Sequence, residues 1–116
     1  MADWDTVVSI ATALPGAEVG TTYGQPAIEV GGKLFAWLSP SRDAEGALAV
    51  RVDLDEKELI LASDEDAYFT VPHYDGSPIV LVRLDRIDPA ELAERIEDSW
   101  LQRAPKRLVD AYLSER

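Results

Sequence analysis

The octapeptide Val71-Pro72-His73-Tyr74-Asp75-Gly76-Ser77-Pro78 (VPHYDGSP) gathers the side chains of this sequence that are best equipped for chemistry. It holds the single histidine, followed closely by a tyrosine, an aspartate and a serine. Imidazole is the side chain whose ordinary pKa lies nearest neutrality, so a general base or a Ser-His-Asp triad would have to use His73. Ser77 supplies a nearby hydroxyl, but no serine in the chain stands in a nucleophile-elbow pattern. The residue types therefore favour a local role. The imidazole and Tyr74 would pack a loop, and Asp75-Gly76 would turn it into the following strand. Turnover of a small molecule through His73 ranks third among the functions considered, and no catalytic residue is assigned.

Other chemistries fare worse. The sequence has no cysteine, which removes disulfides, thiolate nucleophiles, iron–sulfur clusters and cysteine-based zinc sites together. One histidine among scattered carboxylates is a poor transition-metal set. Asp53, Asp55, Asp64 and Asp66 do not keep calcium-loop spacing, with its central glycine and terminal glutamate. Gly31-Gly32-Lys33 ends like a phosphate-binding loop, yet Leu34 stands where a magnesium-binding hydroxyl should be and the upstream glycine is missing. A tight hairpin turn is the better reading, because both central residues of the favoured turn need positive φ. Neither a metal nor a cofactor is expected.

The charge balance narrows the partners. Eleven basic and 22 acidic residues leave a net charge of −11. Such a field repels nucleic acid and anionic membranes unless basic groups are locally segregated. Residues 100–116 hold four basic and two acidic side chains, a local balance of +2, so the rest carries −13. Arg103, Lys106 and Arg107 are thus the candidate nucleic-acid contacts, although the segregation is small for a dedicated DNA-binding domain. Arg103 and Arg107 are expected instead to pair with acids on the helix that runs through Asp88–Asp98. The N-terminal MADWDTVV lacks a secretory leader's basic flank and apolar core, and the longest strongly apolar run is IVLV at 79–82. A cytoplasmic protein with no membrane partner is expected.

The elements that would position these groups follow from periodicity. Asp3 caps a helix over 4–14 with Trp4, Val7, Val8, Ala11 and Leu14 on its buried stripe. AEVGTTYG, PAIEV and KLFAWL read as short strands parted by Gly24-Gln25 and Gly31-Gly32. Residues 39–46 form a loop, ALAVRV (47–52) a fourth strand, and residues 54–62 a short helix using Leu54, Leu59 and Leu61. Tyr68–Val71 is extended, and PIVLVRL (78–84) is the strongest strand of the chain. Asp88-Pro89-Ala90-Glu91 starts a helix lined by Leu92, Ile96 and Trp100. Pro105 opens a last helix with Leu108, Val109, Tyr112 and Leu113 facing inward. The expected fold is one α+β domain over 1–116, in two layers. Its mostly antiparallel sheet has about five strands, packed against N-terminal and C-terminal helices.

LPGAE after the first helix, then TYGQPAIEVGGKLFAWL, DEDAYFTVPHYDGSPIVLVRLD and LAERIEDSWLQRAPKRLVDAYL, resemble the MmcQ/YjbR-like family of small bacterial proteins over about residues 8–113. The resemblance implies a compact two-layer α+β fold similar to secretion chaperones and CyaY-like proteins. It also brings the family's "DNA-binding" label, without an established activity. On that fold, His73, Tyr74, Asp75, Lys33, Trp37 and Trp100 are the candidate surface for a ligand or partner, with Tyr23, Gln25 and Arg103 from neighbouring segments. The expected function is a non-enzymatic binding or interaction module for an unknown protein or small ligand. DNA binding through Arg103, Lys106 and Arg107 is the alternative.

Overall fold

The computed structural model describes residues 2–40 and 44–115. Helix α1 spans Trp4–Thr12, and the strands β1 Ala17–Thr22, β2 Gln25–Val30, β3 Lys33–Leu38 and β4 Leu48–Arg51 follow. A 3-10 turn over Leu54–Glu56 leads into α2, Lys57–Ser63. Then come β5 Tyr68–Phe69, a 3-10 turn over Pro72–Tyr74, β6 Ile79–Val82, α3 Pro89–Arg103 and α4 Lys106–Ser114. The described strands form one sheet in the order β1-β2-β3-β4-β6-β5, with every neighbouring pair antiparallel. This is the expected α+β class with a sixth strand, two residues long, where the sequence shows only an extended segment.

Helices α1, α3 and α4 cover one face of the sheet, with Val7, Ala11, Ile28, Phe35, Leu48, Val80, Leu92, Ile96 and Trp100 in the main core. Helix α3 begins as its sequence dictates. The Asp88 carboxylate accepts the Ala90 and Glu91 amides at 3.1 and 3.3 Å, and Pro89 takes the first turn, where a missing N–H costs nothing. Trp100 is fully buried, and its indole donates to the Pro15 carbonyl at 3.0 Å. Its ring meets Tyr112 edge-on at 5.0 Å, so one side chain ties α3 to the end of α1 and to α4. The Gly31-Gly32 hairpin forms as expected, with φ of +58° and +79°. A Cβ on Gly31 would stand 3.0 Å from the Pro105 ring, so glycine also lets this turn lie against the start of α4.

The register of β3 slips between its pairings with Ile28 and Glu29, which face Ala36 and Leu34. Phe35 is the extra residue of this bulge, and Phe35 and Ala36 both enter the helix-side core. The β3–β4 ladder runs from Leu38↔Leu48 to Ala36↔Val50 and stops there. Ser99 of α3 closes the gap. Its buried hydroxyl donates to the Phe35 carbonyl and accepts the Arg51 amide at 2.8 Å.

The other face carries one cross-strand row, Ala27–Trp37–Ala49–Leu81–Phe69, in consecutive register. Two alanines flank the Trp37 ring and leave room for it. Val71, Tyr74 and Ile79 join this smaller cluster along with Ala44 and Ala47, so the VPHYDGSP segment lies over the second face. Replacing Ser99 by alanine would strand a carbonyl and an amide at the bulge. Ser99→Ala is expected to lower the unfolding free energy by about 2 kcal/mol with the helix content intact. Urea denaturation followed by circular dichroism checks this, and an unchanged midpoint would mean that water already serves both groups.

Candidate functional site

The octapeptide folds as a clasped turn. Val71 is extended, Pro72 opens the 3-10 turn, and Gly76 takes φ +77° to reverse the chain into β6. A lysine holds it together. Lys57, at the start of α2, is only 4 % exposed, and its Nζ donates to the Tyr74 carbonyl at 2.7 Å and the Ser77 carbonyl at 2.8 Å. Burial pulls its pKa below the usual lysine value, while Asp75 and Glu58 partly offset that. Tyr74 points inward at 5 % exposure, and its hydroxyl accepts the Trp37 indole N–H at 3.3 Å. His73 stays exposed, its ring edge-on to Tyr74 with centroids 4.7 Å apart. Among the described residues no serine hydroxyl hydrogen-bonds to His73.

The candidate surface therefore divides. Trp37 and Tyr74 meet, but as a buried pair, and of the candidate residues beside them His73 and Asp75 face solvent. Trp100 lies in the helix-side core, with the sheet between it and Trp37. Lys33 is exposed at the β2–β3 hairpin and Tyr23 is exposed at the β1–β2 turn, so neither joins the others. The basic cluster is also spread. Lys106 pairs with Asp110 at 3.4 Å on an open surface, Arg107 is exposed, and Arg103 is half-buried. The expected pairing of Arg103 and Arg107 with acids of α3 does not occur among the described residues; Asp98 pairs with Arg95 instead, at 3.4 Å. No three His, Cys, Asp or Glu side chains among the described residues converge as a metal set. None of the described helices is long and apolar enough to cross a membrane.

A cleft of about 600 Å³ opens elsewhere, at the end of the sheet where Leu38, Leu48, Val82 and Tyr68 pair across four strands. Trp4, Leu38, Phe69 and Leu84 form its apolar floor, and Asp3, Glu45 and Asp85 stand around it with Arg83. Arg83 is already engaged. Its Nη1 donates to the Glu65 and Asp66 carbonyls at 3.3 and 3.2 Å, and its guanidinium lies 4.1 Å from the Phe69 ring centroid. Asp3 accepts the Thr6 amide and hydroxyl as the cap of α1, which holds its carboxyl below the usual range and ionised. Among its described lining residues the cleft thus joins apolar surface to an excess of carboxylate. Sequence reasoning missed it because its walls come from five separate segments, none with a local motif. Lys57 was missed for another reason: in an acid-rich window, a lysine reads as solvated. It is Leu59, assigned to the helix stripe, that stands 73 % exposed.

Fold and cleft together define a small α+β protein whose single antiparallel sheet carries helices on one face and a clasped loop on the other. The YjbR family model matches residues 12–102, and the chain belongs to that family. "Uncharacterized protein Rv2570" of Mycobacterium tuberculosis is 37 % identical over an alignment of 129 residues that covers 98 % of each chain. "Uncharacterized protein Mb2600" of Mycobacterium bovis is similar to the same extent. Among solved structures, the Deinococcus radiodurans protein DR2400, with the domain DUF419, superposes with a TM-score of 0.76 at 20 % identity. That match covers 99 % of this chain and 88 % of the other, and it shows the fold alone.

Removing the lysine clasp should loosen the octapeptide selectively. Lys57→Met is expected to cost about 2 kcal/mol, the range for hydrogen bonds made by a charged donor. It should also speed amide exchange at Tyr74 and Ser77 more than in β3. Uniform exchange across the chain would show that the turn holds without Lys57.

Proposed function

We propose that this protein is a non-enzymatic binding module whose cleft receives an apolar group carrying a positive charge, from a small amine or from a partner's basic side chain. The carrying observation is the pairing of the floor formed by Trp4, Leu38, Phe69 and Leu84 with three surrounding carboxylates and one committed arginine. Apolar walls with a few placed polar groups are the usual make-up of a ligand site. The net charge of −11 supports the same reading, since it steers cations toward the surface from a distance. Titration with arylalkyl amines and matched arylalkyl carboxylates, followed by NMR, tests this. Amines should give saturable shifts at Trp4, Phe69 and Leu84, and the carboxylates should not. Reversing two carboxylates in Glu45→Lys/Asp85→Lys should weaken amine binding about tenfold or more, equivalent to about 1.4 kcal/mol. Equal response to both series, or shifts confined to residues 72–77, would refute the assignment.

DNA binding through Arg103, Lys106 and Arg107 is the competing proposal, supported by the absence of an acid partner for Arg103 among the described residues. Against it stand the overall charge and the exposed Lys106–Asp110 pair. Fluorescence anisotropy at physiological salt separates the two. No micromolar duplex binding is expected, and binding that Arg107→Ala weakens would favour the DNA reading.

A further inference from the structure

The β1–β2 hairpin leaves one edge of the sheet open. Strand β1 ends the sheet and runs six residues, whereas β5 at the other edge has only two. Tyr23 and Gly24, with φ of +49° and +75°, turn the chain between the paired Thr22 and Gln25. Such a turn makes Thr22–Gln25 a hydrogen-bonded pair. Bonded pairs alternate along an antiparallel ladder, so Gly20–Ala27 and Glu18–Glu29 are bonded too. The N–H and C=O groups of Val19 and Thr21 therefore point away from β2. No described backbone group meets them, and both residues are exposed. Natural edges of this length are usually blunted by a proline, a lysine or a bulge, and β1 has none of these.

The charge beside that edge is of one sign. Glu18 stands directly across from Glu29, on the sheet face that carries Ala27 and Trp37. Like charges so placed disfavour the pairing, and among the described residues neither has a cationic partner. The Glu29 Oε2 lies 3.9 Å from the point where Gly20 would carry a Cβ, so this carboxylate reaches across to β1. On the helix side of the same strand, Val19 is 54 % exposed. Tyr23 stands 88 % exposed at the end of the edge, the one described residue other than glycine with positive φ. A bulky side chain in that backbone region is strained, and such strain gathers at functional positions.

We propose that the open edge of β1 receives an extended segment of a partner protein as an antiparallel seventh strand, with lysine or arginine opposite Glu18 and Gly20 and apolar residues opposite Val19 and Thr21. Main-chain bonds to Val19 and Thr21 would supply affinity, and the alternation of basic and apolar side chains would supply specificity. Charge selects this occupant over a second copy of the chain. Pairing β1 with itself would bring four carboxylates onto one face of two molecules that each carry −11. No described lining residue of the cleft comes from β1, so the proposal stands apart from the cleft reading.

A blocked octapeptide of alternating lysine and valine is the probe. Its controls are a glutamate-for-lysine counterpart and a copy N-methylated at the valines. Amide hydrogen exchange of the protein, followed by NMR, reads the pairing. The lysine peptide should slow exchange at Val19 and Thr21 at least tenfold, while Glu18 and Gly20, already bonded to β2, change little. The methylated peptide keeps the charges but lacks the amides that would meet β1, and it should not bind; nor should the glutamate peptide. Glu18→Lys should weaken the lysine peptide at least tenfold. Thr21→Pro removes an outward N–H without touching a β1–β2 bond, and it should abolish the protection at Val19. The proposal fails if Val19 and Thr21 exchange alike with and without the lysine peptide, or if the methylated peptide binds as well. It also fails if shifts arise only at Trp4, Phe69 and Leu84, which would put the peptide in the cleft. Protection of the two amides that grows with protein concentration in the absence of peptide would make the occupant a second copy, and would overturn it equally.

Discussion

The Ser99 hydroxyl stands where the bulge at Phe35 would leave the β3–β4 ladder open, and it serves a strand on each side of the gap. Much of the molecule is arranged around that contact. It fixes the rotation of α3 over the sheet, which sends Leu92 and Ile96 into the core on the turns before it. The next residue, Trp100, carries the helix layer onward to Pro15 and Tyr112. One turn beyond, Arg103 ends the helix, and its charge disfavours that of Arg51. A buried hydroxyl that satisfies two backbone groups contributes more through the alternative it prevents than through its own bonds, because each group stranded without water costs more than a bond gains.

The two faces and the two ends of the sheet are built for different tasks. One face is covered by α1, α3 and α4, with Ile60 and Leu61 of α2 packed against the same core. The other is covered by a loop fastened from beneath by Lys57 and from within by the Trp37–Tyr74 pair. Fixing the loop inward leaves His73 and Asp75 as its exposed polar groups in that neighbourhood, which is why the only histidine lies apart from the features with binding character. The ends of the sheet differ as well. At one, carboxylates surround an apolar cleft. At the other, Arg51 ends β4 with its guanidinium near Trp37 and Arg103 ends α3, both half-buried.

Local physics was legible in the sequence, and long-range physics was not. Asp88-Pro89 with the Leu92, Ile96, Trp100 stripe announced α3, Gly31-Gly32 announced its hairpin, and the branched run at 79–82 announced β6. The faces of KLFAWL could not be read, since five consecutive apolar residues hide the alternation and the bulge then breaks it. The two-residue strand β5 is too short for any period to show. Family resemblance implied the fold, but the candidate surface joined Trp37 and Tyr74 to Trp100, which the sheet keeps on opposite faces. Tyr74 turned inward because Trp37, remote in sequence, offers its indole N–H, and Lys57 turned inward because two loop carbonyls needed a donor. The charge of Arg103 bears on Arg51 only once Ser99 has docked α3 on the sheet.

A double-mutant cycle between Arg51 and Arg103 tests that central claim most directly. Arg51→Met, Arg103→Met and the double variant are compared by urea denaturation in dilute buffer free of phosphate and carboxylate, with and without Ser99→Ala. The account predicts an unfavourable coupling, in which removing the second arginine gains less than removing it alone from the parent, and predicts that the coupling shrinks once Ser99 is alanine. Additivity of the two substitutions within about 0.3–0.5 kcal/mol would contradict it, because charges that disfavour each other do not behave independently.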